Sequence, residues 1–177
     1  MARAAVVTKF KPKRRTTLEE RTAYHEAGHF VAAYVGKRSP AIRRLSIVPK
    51  GDTLGHVLPF PTPSFRPDAD PPLQQVVDTI VTYLAGSAAE KRFAGRFDPE
   101  GSAQDYGDAI SLGMHVVTAD RELELFVNWL DERAAEVIDV HWWAVTGVAE
   151  ELLRRKKMTG KEAREVIDGL TDKGGGG

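Results

Sequence analysis

The sequence predicts a mainly α-helical domain carrying one small β-hairpin, an edge sheet, after its first helix. Three observations point there. Apolar residues recur at helical spacing over most of the 177 residues. The one stretch with partly alternating polar and apolar residues, 42–48, is short, and a turn and a proline-rich segment follow it. At 177 residues the chain can bury one core without staples, and it holds no cysteine, so disulfides and thiolate metal sites are excluded.

Taken in order, residues 1–16 form a basic arm, with Arg3, Lys9, Lys11, Lys13, Arg14 and Arg15 and no acidic residue. Thr17 and Glu20 make a Thr-x-x-Glu capping box that opens the first helix, and Gly36 is its expected stop. Ala23, Ala27, Phe30, Val31 and Tyr34 mark its apolar spacing. The reading for 42–48 is a half-buried strand, turned by Pro49-Lys50-Gly51-Asp52 and returning over Leu54–Phe60. The segment 59–72 holds six of the ten prolines and reads as an extended loop. Asp70-Pro71-Pro72 signals a second helix, whose wide apolar face runs from Leu73 to Phe93. Gly95–Gly101 breaks it, and Ser102–Asp105 opens a third, expected to turn Ile110, Met114 and Val117 inward. A long helical stretch follows from about Arg121 to Leu153, with an interruption expected near Thr146-Gly147. Thr159 and Glu162 form a second capping box, starting a short last helix through Val166 and Ile167. Residues 171–177 read as a flexible glycine-rich tail, which leaves 17–170 as the folded domain.

The chemistry is concentrated in Tyr24-His25-Glu26-Ala27-Gly28-His29, a His-Glu-x-x-His pattern in mid-helix. Residues four apart share a helix face, so His25 and His29 can aim their imidazoles at one point. Two imidazoles make half of a tetrahedral zinc site, and Glu26 stands where a metalloprotease keeps its general base. A third ligand is needed. His56, His115 and His141 have the settings of packed or surface histidines, and 25 Asp and Glu residues leave the carboxylate choice open on spacing alone. Asp105 also reads as the end of a Ser102-x-x-Asp105 capping box.

Several pieces, in order, resemble the zinc protease domain of the FtsH-type AAA+ proteases. They are Tyr24–His29, then Leu45-Ser46-Ile47-Val48-Pro49-Lys50-Gly51 with Leu54-Gly55. Leu84-Ala85-Gly86-Ser87-Ala88-Ala89-Glu90 follows, then Gly101-Ser102-Ala103-Gln104-Asp105, and last Leu152-Leu153 with Met158-Thr159-Gly160-Lys161-Glu162. The resemblance implies a zincin-like helical fold and Zn2+ held by His25, His29 and Asp105. It implies Glu26 as catalytic base and peptide-bond hydrolysis in peptides or unfolded polypeptides. A substrate strand is expected along the free edge of Leu45, Ser46, Ile47 and Val48. Ser87 and Gln104 replace the family's arginine and asparagine, so bonds around the ligands are expected to differ.

Zero formal net charge argues against a nucleic-acid partner. With no secretory signal, membrane-length apolar run or phosphate-binding Gly-x-x-x-x-Gly-Lys-Ser/Thr loop in the sequence, the expectation is a cytoplasmic, ATP-independent, stand-alone peptidase. The alternatives are a protease subunit served by a separate AAA+ partner and a zinc-stabilised binding module without catalysis. The resemblance also suggests a hexameric homo-oligomer.

Overall fold

The computed structural model describes residues 16–37, 41–49, 55–58, 63–64 and 71–174. Among the described residues six helices and three short strands follow one another: α1 (Leu18–Val35), β1 (Arg44–Ser46), β2 (His56–Leu58), α2 (Leu73–Ala94), α3 (Ala103–Gly113), α4 (Asp120–Val140), α5 (Trp142–Arg155), β3 (Lys157–Thr159) and α6 (Gly160–Gly174). The mainly helical fold with a small sheet after the first helix is as expected. Residues 1–15 of the basic arm, Lys50-Gly51-Asp52 of the expected turn, Leu54 and 59–60 of the expected return strand, most of the proline-rich segment and the last three glycines lie outside the described residues.

Helix α1 begins with the capping box. The Glu20 N–H donates to Thr17 Oγ1 (3.1 Å) and the Thr17 N–H donates to Glu20 Oε2 (2.7 Å), which satisfies two amides that the helix itself cannot. Its buried face, including Ala23, Ala27, Phe30 and Val31, is apolar. At Gly28 α1 and α2 meet backbone to backbone, because a side chain there would run into the Ala85 carbonyl and lie 2.7 Å from Ala89 Cβ. Helix α2 ends at Gly95, whose left-handed φ of 78° suits glycine and lets its N–H reach the Lys91 carbonyl.

Two apolar clusters form the interior. One joins α1, α5 and the sheet through Phe30, Leu45, Val145, Leu152, Met158 and Ile167. The other joins α2, α3 and α4 through Ile80, Leu84, Ala109, Leu112 and Leu130. Helix α2 contributes to both, so α1 and α3 are held on either flank of one continuous helix.

The structure corrects four expectations. First, the sheet has a third strand, and its order is β2-β1-β3 with both pairings antiparallel. The free edge expected along Leu45–Val48 is therefore taken. Leu45 faces Val57 on one side and Met158 on the other, and the Ile47 N–H donates to the Lys156 carbonyl. Leu45, Ser46 and Ile47 are buried. Lys156, in a left-handed conformation at φ 66°, turns the chain from α5 into β3 and brings the new strand beside β1. Second, the long helical stretch breaks at His141 and not at Thr146-Gly147. Gly147 stays inside α5, where its missing side chain admits Leu170 of α6. Third, Ile110 and Met114 face outward, and Ala109, Leu112 and Gly113 form the buried face of α3. Fourth, α6 continues to Gly174, past the tail boundary expected at residue 171. The buried Ala163 and Ile167 anchor it, and its capping box forms as expected, with the Glu162 N–H donating to Thr159 Oγ1 (3.2 Å).

Candidate metal centre

Mid-helix placement on α1 puts His25 and His29 one turn apart, with their rings nearly perpendicular at 82°. Asp105, in the first turn of α3, closes a triangle with them. His25 Nε2 lies 3.1 Å from Asp105 Oδ2, His29 Nε2 lies 3.3 Å from the same oxygen, and the two nitrogens are 3.0 Å apart. Four ligands at zinc-like bond lengths of about 2.0–2.1 Å stand about 3.3 Å from one another in a tetrahedron. The triangle matches that spacing within a few tenths of an ångström, so the donor set and its size both fit a zinc-like cation. Among the described residues, no other group of three or more His, Asp or Glu side chains comes together in this way.

The capping alternative for Asp105 does not form. Ser102 makes no side-chain cap bond, and the Asp105 carboxylate turns across to α1. Burial opposes charge on Asp105, but the two histidines beside it outweigh burial and hold it well below the usual carboxylate range. Burial likewise opposes charge on His29, yet Asp105 raises it to about 9 in the absence of a metal. Three donor atoms turned inward in this way require a positive charge between them, whether a proton or a metal ion.

The neighbours fix which nitrogen faces the centre. His29 Nδ1 lies 2.8 Å from the Thr82 carbonyl, which can only accept, so Nδ1 carries a hydrogen and Nε2 is the nitrogen left to offer a lone pair once its proton gives way to a cation. His25 Nδ1 stands 3.9 Å from Glu90 Oε2. Glu90 is itself held by Arg21 Nη1 at 3.0 Å and by the Asp98 N–H at 3.1 Å, so a buried carboxylate is fixed behind the ring. Gly86 is the close wall of the site. A side chain there would place its first carbon 2.5 Å from His29 Nε2 and 2.7 Å from His25 Nε2.

Sequence reasoning assigned no role to Thr82, Gly86 or Glu90. An isolated glycine inside an otherwise strong helical pattern is a packing signal that marks Gly86. Nothing local marks a backbone carbonyl such as that of Thr82. Of the two departures expected to alter the surroundings, Gln104 turns outward to Asp108 (2.8 Å) and the Ser87 hydroxyl donates to the Leu84 carbonyl (2.9 Å). His56 is half-buried on β2, His115 is exposed beyond α3, and His141 is half-buried at the α4–α5 break. None of the three belongs to the metal-capable group.

Glu26 is buried at 5% exposure beside the centre. Burial pushes its carboxyl above the usual range, His25 and His29 pull it back, and Asp105 adds to the rise. The structure thus brings together His25, Glu26, His29 and Asp105 and excludes the outer-edge role for Leu45–Val48.

The model of peptidase family M41 matches residues 13–119. The chain is also similar to the ATP-dependent zinc metalloprotease FtsH of Thermus thermophilus, with 29% identity over 187 residues covering 84% of this chain and 29% of that protein. It is 25% identical to the mouse ATP-dependent zinc metalloprotease YME1L1 over 178 residues, 84% of this chain and 24% of that protein. With FtsH 2 of a Thermoanaerobacter strain it shares 26% identity over 92% of this chain and 36% of that protein. The chain spans roughly a quarter to a third of the length of these relatives.

Proposed function

Because the chain belongs to peptidase family M41, we propose that it is a zinc endopeptidase in which His25, His29 and Asp105 hold the metal and Glu26 is the general base. The observation that carries this reading is the 3.0–3.3 Å triangle of donor atoms with a buried carboxylate beside it. When bound, zinc would supply a Lewis acid that polarises the scissile carbonyl and acidifies water.

The protein's own groups do the rest. Glu26 takes a proton from the attacking water at its carboxylate and passes it to the leaving nitrogen as the C–N bond breaks. Its burial keeps competing water away and raises its basicity. The Thr82 carbonyl keeps the His29 imidazole in one orientation, and Glu90 places a buried negative charge behind His25, 3.9 Å from its Nδ1. A peptide would pair with the outer edge of β2, which no described residue occupies and whose preceding residue, Gly55, lies against Glu26.

The whole candidate ligand set and Glu26 fall within these 177 residues, which supports hydrolysis by the chain itself; ATP-independent action on unfolded polypeptide is the finer part of the proposal. Service by a separate AAA+ partner is the alternative to that reading, and ring assembly is a family-based extension of either. Cleavage of labelled unfolded casein by zinc-loaded protein, with and without ATP, tests it. Glu26→Gln is expected to retain one metal per chain and lose cleavage by at least about 100-fold. Equal activity in that variant would remove Glu26 from the mechanism. Casein capture without cleavage by the parent would favour a binding module.

A further inference from the structure

We infer that Gly55 is a positioning residue for Glu26, and that the missing side chain at the entrance to β2 sets where the base carboxylate sits. The inference rests on the reading of Glu26 as general base and adds to it what holds that carboxylate in place.

The geometry is specific. A first side-chain carbon on Gly55 would fall 2.8 Å from Glu26 Oε1, 3.1 Å from Glu26 Cγ and 2.6 Å from Thr22 Cγ2. The separations from Thr22 Cγ2 and Glu26 Oε1 are shorter than side-chain carbons tolerate and the third is tight, so one of three things must move. The strand is held, since Ser46 pairs with His56 and Leu45 with Val57 immediately after Gly55. Thr22 is also held, because its stiff β-branched side chain sits on α1 with Oγ1 donating to the Leu18 carbonyl at 3.0 Å. The Glu26 carboxylate is the end of a longer, rotatable side chain and yields first. A methyl group at position 55 would therefore displace the base while leaving the sheet in place. A displacement on the order of 1 Å in a reacting group can cost about 100-fold in rate.

The test isolates that contact. Thr22→Ser removes Cγ2 but keeps the hydroxyl bonded to Leu18, so in its background Gly55→Ala collides with Glu26 alone. Thr22→Ser should cleave casein within about twofold of the parent. Adding Gly55→Ala should lower kcat by about 10- to 100-fold, with KM, zinc content and Tm unchanged. Adding Glu26→Asp, a shorter base, should cost less on top of Gly55→Ala than it does with Gly55 intact, because it relieves the same collision. A crystal structure of metal-free Thr22→Ser/Gly55→Ala should show the Glu26 carboxylate rotated away with β2 in register.

A double variant with the kcat of Thr22→Ser would overturn the inference. So would a variant that loses zinc, Tm or solubility, because the strand would then have yielded in place of the carboxylate. Glu26→Gln, assayed alongside, separates the two failures. If it is inactive while Gly55→Ala is harmless, only the role of Gly55 falls. If it is as active as the parent, the base assignment itself falls.

Discussion

Helices α1 and α2 meet along a seam of glycine and alanine, whereas α3 and α4 meet along a flank that leaves large apolar side chains in solvent. In the seam, Gly28, Ala85, Gly86 and Ala89 bring two backbones together with no room for another carbon. On the flank, Ile110, Met114, Leu125 and Trp129 are each 42–56% exposed. The candidate metal centre straddles the two, with both histidines on the seam and Asp105 on the flank. A close-packed interface transmits any added volume directly, because there is nowhere for it to go. The α3–α4 contact runs through side-chain ends instead, with Gly113 against Leu123 Cδ1, and such ends can yield by a few tenths of an ångström at low cost. The histidine pair should therefore tolerate substitution badly in its surroundings, and the aspartate side should be more forgiving.

The sharpest way to break that contrast is Gly86→Ala. Alanine favours helix over glycine by about 1 kcal/mol, so α2 should survive, but the methyl group would occupy the space in front of both ring nitrogens. Elemental analysis should find bound metal falling from one per chain to near zero, with the helical circular dichroism retained. Normal metal content would show that the seam can open.

Glu90→Gln tests the same side from behind. With its charge removed, the side chain no longer supports His25 or matches Arg21, and metal affinity should fall about 10- to 100-fold. Competition against a chromogenic chelator measures it.

Ser102→Ala probes the flank, and its sign is opposite. The Ser102 hydroxyl is buried at 1% exposure with no hydrogen-bond partner among the described residues. Removing a buried polar group that gains nothing should stabilise the protein by about 1 kcal/mol, or about 2–4 °C in Tm for a chain of this length. Metal content should not change.

Remote from both regions, Glu151→Gln provides the small reference effect. Bonds from Arg154, opposed by slight burial and joined by Arg155, bring the Glu151 carboxyl from its ordinary 4.5 down to about 2. A lowered carboxylate contributes stability that is present above the ordinary value and lost as pH falls through the lowered one. The pair lies at the surface, so the variant should lose less than about 1 kcal/mol at pH 7. Urea titrations should show the difference shrinking from pH 4.5 towards pH 2, and also in high salt.

What the sequence disclosed divides along similar lines. Both capping boxes, the His25–His29 spacing and the Gly95 break were legible because each is settled within one or two helical turns. Asp105 was not, since no spacing rule links positions 80 residues apart, and only the ordered resemblance singled it out. The third strand was invisible because Lys157-Met158-Thr159 has no alternation long enough to read. It exists because Lys156 turns the chain and β1 offers an edge. The outward turn of Ile110 and Met114 was missed for a related reason. Helical spacing says which residues share a face, but the neighbouring helix decides which face is covered.

That third strand has a consequence for where the protein can be cut. Residues 13–119 hold every proposed ligand and the base, yet they would leave Arg44–Ser46 with bare amides and carbonyls where Lys157–Thr159 now pairs. They would also lack Leu152, Met158 and Ile167 from the interior. The excised segment would thus present an unpaired strand edge, a template for pairing with its own copies. The smallest piece able to stand alone must run on through α6.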